Sequence, residues 1–123
     1  MNESAVMESL HRGKVLAAAI PASRQDNLAW IGIYPLDPSR QATVEFLRSH
    51  GLMVLPGGAS AYHLRTFEVR RQLVDADASI SEQEMTNKNS YFAFGDEDLR
   101  AKVRALGLAI ENFNLPFKSN YPI

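Results

Sequence analysis

Two stretches of this chain run through the same succession of signals. Trp30 to Pro56 and Tyr91 to Pro116 each read as an aromatic strand, an aspartate at a helix start, a Gly-Leu pair, a short apolar run and a Leu-Pro. A chain that alternates strand and helix must bury one face of a sheet under one stripe of each helix. The expected fold is therefore α+β: a two-layer sandwich with a mainly antiparallel sheet and helices on one face. Read as two β-α-β halves, the echo points to a ferredoxin-like arrangement with an extra N-terminal strand. At 123 residues the chain is expected to form one domain, 1–123, with enough core to fold without staples.

The elements follow from local chemistry. Ser4 to His11 reads as a short helix with Val6, Met7 and Leu10 on one face, and Lys14 to Ile20 as a buried strand. Leu28 to Tyr34 is β-rich and ends at Pro35. Asp37-Pro38 is a helix start and Gly51 its close. A short strand from Leu52 to Leu55 and a turn from Pro56 to Ser60 come next. Tyr62 to Leu73 reads as a long strand, Phe67 and Val69 inward, Thr66, Glu68 and Arg70 outward. Ser79 and Ser81 each stand three residues before a glutamate, the spacing of a capped helical turn. Thr86 to Ser90 is expected as a polar loop, Ser90 to Phe94 as an aromatic strand, and Leu108 to Phe113 as a last strand. Between the last two, a helix opens on Asp96 with acids first and bases later, matching its dipole.

Charge is distributed unevenly. Leu73 to Asp98 holds seven acids against Lys88 alone, a formal charge of −6 in a chain whose total is −1. Asp96, Glu97 and Asp98 have a helix start to serve. Asp75, Asp77, Glu82 and Glu84 have no such local duty. An exposed run of like charge steers a partner of the opposite sign. Glycine and glutamate do not follow Asp75 and Asp77 at the spacing of a calcium-binding loop.

Several chemistries are excluded or unsupported. The chain has no cysteine, which removes disulfides, thiolate nucleophiles, thiolate zinc sites and iron–sulfur clusters. His11, His50 and His63 are not at metal-ligand spacing. Pro56-Gly57-Gly58-Ala59-Ser60 lacks the lysine and flanking pattern of a phosphate loop and reads as a turn. Arg65, Arg70 and Arg71 interleave with Tyr62 and Phe67, but Glu68 and the acidic run oppose direct nucleic-acid contact. No leader or membrane-length apolar run is read, so a cytoplasmic chain is expected, with no cofactor and no metal.

Two function classes fit. The first is a bacterial, immunity-type inhibitor that binds a basic, nuclease-like toxin and covers its active site. Asp75, Asp77, Glu82 and Glu84 would meet the partner's cations, with Tyr62 and Phe92 as aromatic anchors. This class carries no catalytic residue. The second is a small-ligand binder or enzyme with a site near the 56–68 loop and strand, drawing on His63, Arg65, Glu68 and the Gly57-Gly58 loop.

Overall fold

The computed structural model describes residues 1–52, 60–76 and 80–122. In chain order its longer elements are α1 (Glu3–His11), β1 (Leu16–Ile20), β2 (Asn27–Leu36), α2 (Gln41–Ser49), β3 (Ala61–Arg70), α3 (Arg71–Asp75), β4 (Thr86–Phe94) and α4 (Asp96–Ala105). Short 3-10 turns occupy Glu82–Glu84, Ile110–Asn112 and Pro116–Ser119.

The sheet has the order β1-β2-β3-β4, and each neighbouring pair is antiparallel. The fold is an α+β sandwich, as the alternation of strand and helix implies. Among the described residues the sheet is a meander, with each strand beside its sequence neighbour. That differs from the ferredoxin-like order, which needs crossovers between parallel strands. The second β-α-β half does not close, because Leu108 to Phe113 forms the 3-10 turn at Ile110–Asn112 instead of a strand. There the Asn112 side chain accepts from the Ala109 N–H at 2.9 Å, an alternative to a sheet ladder. The chain rejoins the sheet only at the bridge of Asn114 to Ala17. Of the expected strand from Leu52 to Leu55, Met53 to Leu55 lie outside the described residues, as does the Gly57-Gly58 loop.

Helix starts shift from their sequence signals for local reasons. Asp37 does not cap α2. Its Oδ1 accepts from the Ser39 N–H at 3.0 Å and the Ser39 hydroxyl at 2.7 Å, which closes a turn before the helix. At α4 the cap position is Gly95, with φ of 90°, and Asp96 is the first helical residue. Asp98 does the capping work there, accepting from the Phe94 N–H at 2.9 Å.

Both sheet faces are buried, which the one-sided reading did not anticipate. On the first face Leu16, Ala18, Ile31, Ile33, Tyr62, Leu64 and Ala93 pack under α1 (Val6, Met7, Leu10) and α4 (Leu99, Val103), with Phe113 completing the cluster. On the second face Ala17, Trp30, Phe67 and Val69 pack with Met85 and Tyr121. The C-terminal segment is fixed across this face by a hydrogen bond from the Trp30 indole N–H to the Ser119 carbonyl, at 2.7 Å, and by contact between the Tyr34 and Tyr121 hydroxyls. Gly32 makes room for it: a Cβ there would stand 2.5 Å from the Tyr121 hydroxyl and 2.9 Å from the Tyr34 ring.

Gly32→Ala should therefore destabilise the protein by about 1–3 kcal/mol, the usual cost of an overpacked core. Urea unfolding of Gly32→Ala in the wild-type and Tyr121→Ala backgrounds checks the cause. The penalty should shrink in the second background, where the clashing ring is gone.

Candidate functional site

The described acids of the run differ in exposure and in the partners they meet. Asp75 ends α3 and is exposed. Asp77 lies outside the described residues. The Glu82 carboxylate is in direct contact with the Arg65 guanidinium and lies 3.7 Å from Lys88, and the Arg65 contact holds it below the usual carboxyl range. Glu84 accepts from the Ser81 N–H at 3.1 Å and the Ser81 hydroxyl at 3.0 Å, forming the capping box that its spacing signalled. Glu82 is thus met by the chain's own bases, while Glu84 serves a turn. The two aromatic anchors separate as well. Tyr62 is 1 % exposed and belongs to the first sheet face, where its hydroxyl donates to Asp96 at 2.7 Å. Phe92 lies on the other face, stacked on His63 with ring centroids 4.9 Å apart and planes 9° from parallel. Tyr62 is therefore a core residue, not a surface anchor.

The second group of candidates also divides. His63 projects among Tyr34, Phe46, His50 and Phe92, and its Nε2 lies 2.9 Å from the Ser90 hydroxyl. Burial, with His50 and Arg65 nearby, pushes the imidazole down to about 4, so it is neutral at physiological pH. Arg65 points at Glu82 and Met85. Glu68, expected on the solvent side of its strand, is only 4 % exposed.

Glu68 is the centre of the best-formed site. Its Oε1 accepts from the Ser23 N–H at 3.2 Å, the Ser23 hydroxyl at 3.0 Å and the Asn27 side-chain amide at 3.1 Å. Its Oε2 accepts from the Asn87 side-chain amide at 2.7 Å. Burial alone would raise the carboxyl, but these donors outweigh it and hold the group down at about 2. The backbone is shaped around it. The β3–β4 register shifts between Thr66 and Glu68, and Asn87 across the ladder takes a left-handed φ of 49°. All four donors are neutral, so an ionised carboxylate sits buried on hydrogen bonds alone.

Above it opens a cleft of about 650 Å³ whose charged lining is Glu68, Asp26 and Glu84 against Arg24 and Arg70. Arg24 is already paired with Asp26 at 3.2 Å. Ser23, Asn27 and Asn87 are 45, 41 and 19 residues from Glu68, so no local pattern announces the site. The one available signal was an acid inside a strand otherwise read as half-buried. Among the described residues, no three of His, Asp and Glu converge as metal ligands would. Compared with protein-family models, curated proteins and solved structures, the chain finds no match in any of the three.

Two acid-sensitive groups should be separable by pH. His63 is neutral in the fold and has an ordinary value of 6.5 when unfolded. The unfolded chain therefore binds its proton first, and stability falls as pH drops from 6.5 toward 4. Glu68 contributes stability above its ordinary 4.5 that is lost as pH falls toward 2. Thermal unfolding across this range should lose the upper part of its slope in His63→Phe, while Glu68→Gln should make the lower part shallower without abolishing it, since Glu82, Asp96 and Asp98 are also held below the usual carboxyl range.

Proposed function

We propose that the protein acts by binding a partner that presents a cationic group, and that the cleft over Glu68 receives it. The observation that carries this reading is the Glu68 carboxylate, buried and ionised with only neutral donors around it. An ammonium or guanidinium entering the cleft would supply the missing countercharge and meet Oε2, which has a single hydrogen-bond donor. The lining carries one more carboxylate than arginine, which adds to the attraction.

In its specific form the partner is a basic, nuclease-like toxin and the chain its immunity-type inhibitor. A lysine or arginine of the toxin's active site would seat against Glu68, with Asp26, Glu84 and Asp75 along the approach. Glu82 has a smaller part than its charge suggests, because Arg65 and Lys88 already meet it. Of the groups named for a small-ligand site near the 56–68 loop and strand, only Glu68 lines this cleft, whose volume is that of an ordinary ligand pocket.

Titration with the N-acetyl methylamides of lysine and arginine, followed by NMR on the Asn27 and Asn87 side-chain amides, tests the proposal. Saturable shifts that weaken with salt and vanish in Glu68→Gln are expected. Arg70→Gln, which removes a competing charge at the rim, should tighten binding. Shifts that never saturate, or an affinity that Arg70→Gln leaves unchanged, would count against the cleft as a cation site.

A further inference from the structure

The other end of the sheet holds a constellation that the cation site does not use. Asp96, at the start of α4, accepts from two sides. The Tyr62 hydroxyl reaches Oδ1 at 2.7 Å from inside the core, and His11 Nε2 lies 2.8 Å from Oδ2. Burial alone would raise the Asp96 carboxyl, but Tyr62 and His11, with Arg100 nearby, more than offset it and hold it below the usual range. An ionised carboxylate only accepts, so His11 Nε2 must carry the hydrogen. That assigns the tautomer and leaves Nδ1 as the free nitrogen of a half-exposed ring.

The ring borders a cleft of about 580 Å³ between the end of α1, the turn before α2 and the start of β3. Besides Tyr62, whose hydroxyl is taken by Asp96, the charged and hydroxyl groups around it are Arg12, Asp37, Arg40, Thr43 and Ser60. On the far side of His11 stand Glu3, Glu8 and Arg100, of which Glu3 and Arg100 are paired at 2.9 Å. Ser60 is anchored by its carbonyl, which accepts from the Gly95 N–H at 2.6 Å. Arg12 meets Glu8 at 2.6 Å and Arg40 lies 3.8 Å from Asp37. Both pairs are exposed, and exposed pairs are held weakly enough to be exchanged for a better partner.

We propose that this cleft binds a small phosphate-type oxyanion, held by His11 Nδ1 between the guanidinium groups of Arg12 and Arg40. The lining itself carries two guanidinium groups against Asp37, opposite in sign to the cleft over Glu68, and an entering anion must displace Glu8 from Arg12 and Asp37 from Arg40. Phosphate fits both states of His11. A P–OH donates to neutral Nδ1, and a P–O accepts from it once protonated. Sulfate, with no hydroxyl at neutral pH, fits only the second. Asp96 is then a positioning residue, setting the tautomer from behind.

Titration with inorganic phosphate at constant ionic strength, read on the His11 ring and the Gly13, Arg40 and Ser60 amides, tests the site. Saturable shifts are expected, with phosphate binding more tightly than sulfate at neutral pH. Arg40→Gln and His11→Gln should each weaken phosphate about tenfold, as loss of a charge-assisted contact does. Asp96→Asn should narrow the difference between phosphate and sulfate, which a merely structural contact would leave alone. Shifts that rise without saturating, or an affinity unchanged in Arg40→Gln, overturn the proposal.

Discussion

The pairing of β2 with β3 decides where every functional group in this molecule points. It runs for ten residues, from Asn27 opposite Arg70 to Leu36 opposite Ala61. Side chains alternate along both strands, so a slip of one residue would turn each of them to the other face. In the observed register Tyr62 and Leu64 enter the core under α1 and α4, while His63, Arg65 and Phe67 line the opposite face. The same register brings Asn27 beside the end of β3, within 3.1 Å of Glu68. Burial on both faces locks it. Trp30 and Phe67 pack with ring centroids 6.0 Å apart on one side, and Ile31, Ile33 and Leu64 are fully enclosed on the other.

What the sequence announced was whatever depends on neighbours along the chain. The aromatic and β-branched run at Leu28 to Tyr34, the helix with acids in its first turn and bases in its last at Asp96 to Ala105, and the Ser81–Glu84 capping box all formed as expected. What it concealed depends on partners far away in sequence. The first half of β4, Thr86 to Ser90, has no apolar alternation, because it is exposed, in the strand that forms an edge of the sheet among the described residues. It pairs anyway, since β3 offers an unpaired ladder beside it. Leu108 to Phe113 has the composition of a strand, yet its apolar residues Ile110 and Phe113 are spent against α1 and α4. Glu68 looked solvent-facing because alternation assigns direction but does not reveal what covers a side chain.

Charge shows the same division. Acids dense in sequence meet different partners in the fold. Glu82 meets Arg65, Glu84 holds Ser81, Asp96 orients His11 and anchors Tyr62, and Asp98 caps α4 and meets Lys102. Among the described residues Asp75, Glu84 and Glu97 of the run also have no basic partner, but none of them is enclosed. The buried carboxylate without one is Glu68, a lone acid between hydrophobic residues of β3.

That position shows why a carboxylate, and not its amide, occupies the floor of the cleft. Ser23, Asn27 and Asn87 all aim donors at residue 68. A glutamine there would turn an amide N–H₂ toward at least one of them and leave donors facing each other. The donors therefore require two acceptor oxygens, and a buried group with two acceptors and no hydrogen carries a full charge. Hydrogen bonds from neutral groups stabilise that charge without cancelling it. The field then reaches into the open side of the cleft, where at about 4 Å and an effective dielectric of about 20 a unit charge is attracted by about 4 kcal/mol. Arg24 and Arg70 at the rim oppose this, but Arg24 already faces Asp26. The structural requirement for an acceptor pair thus produces an attraction for cations, and the shape of the cleft decides which of them reach it.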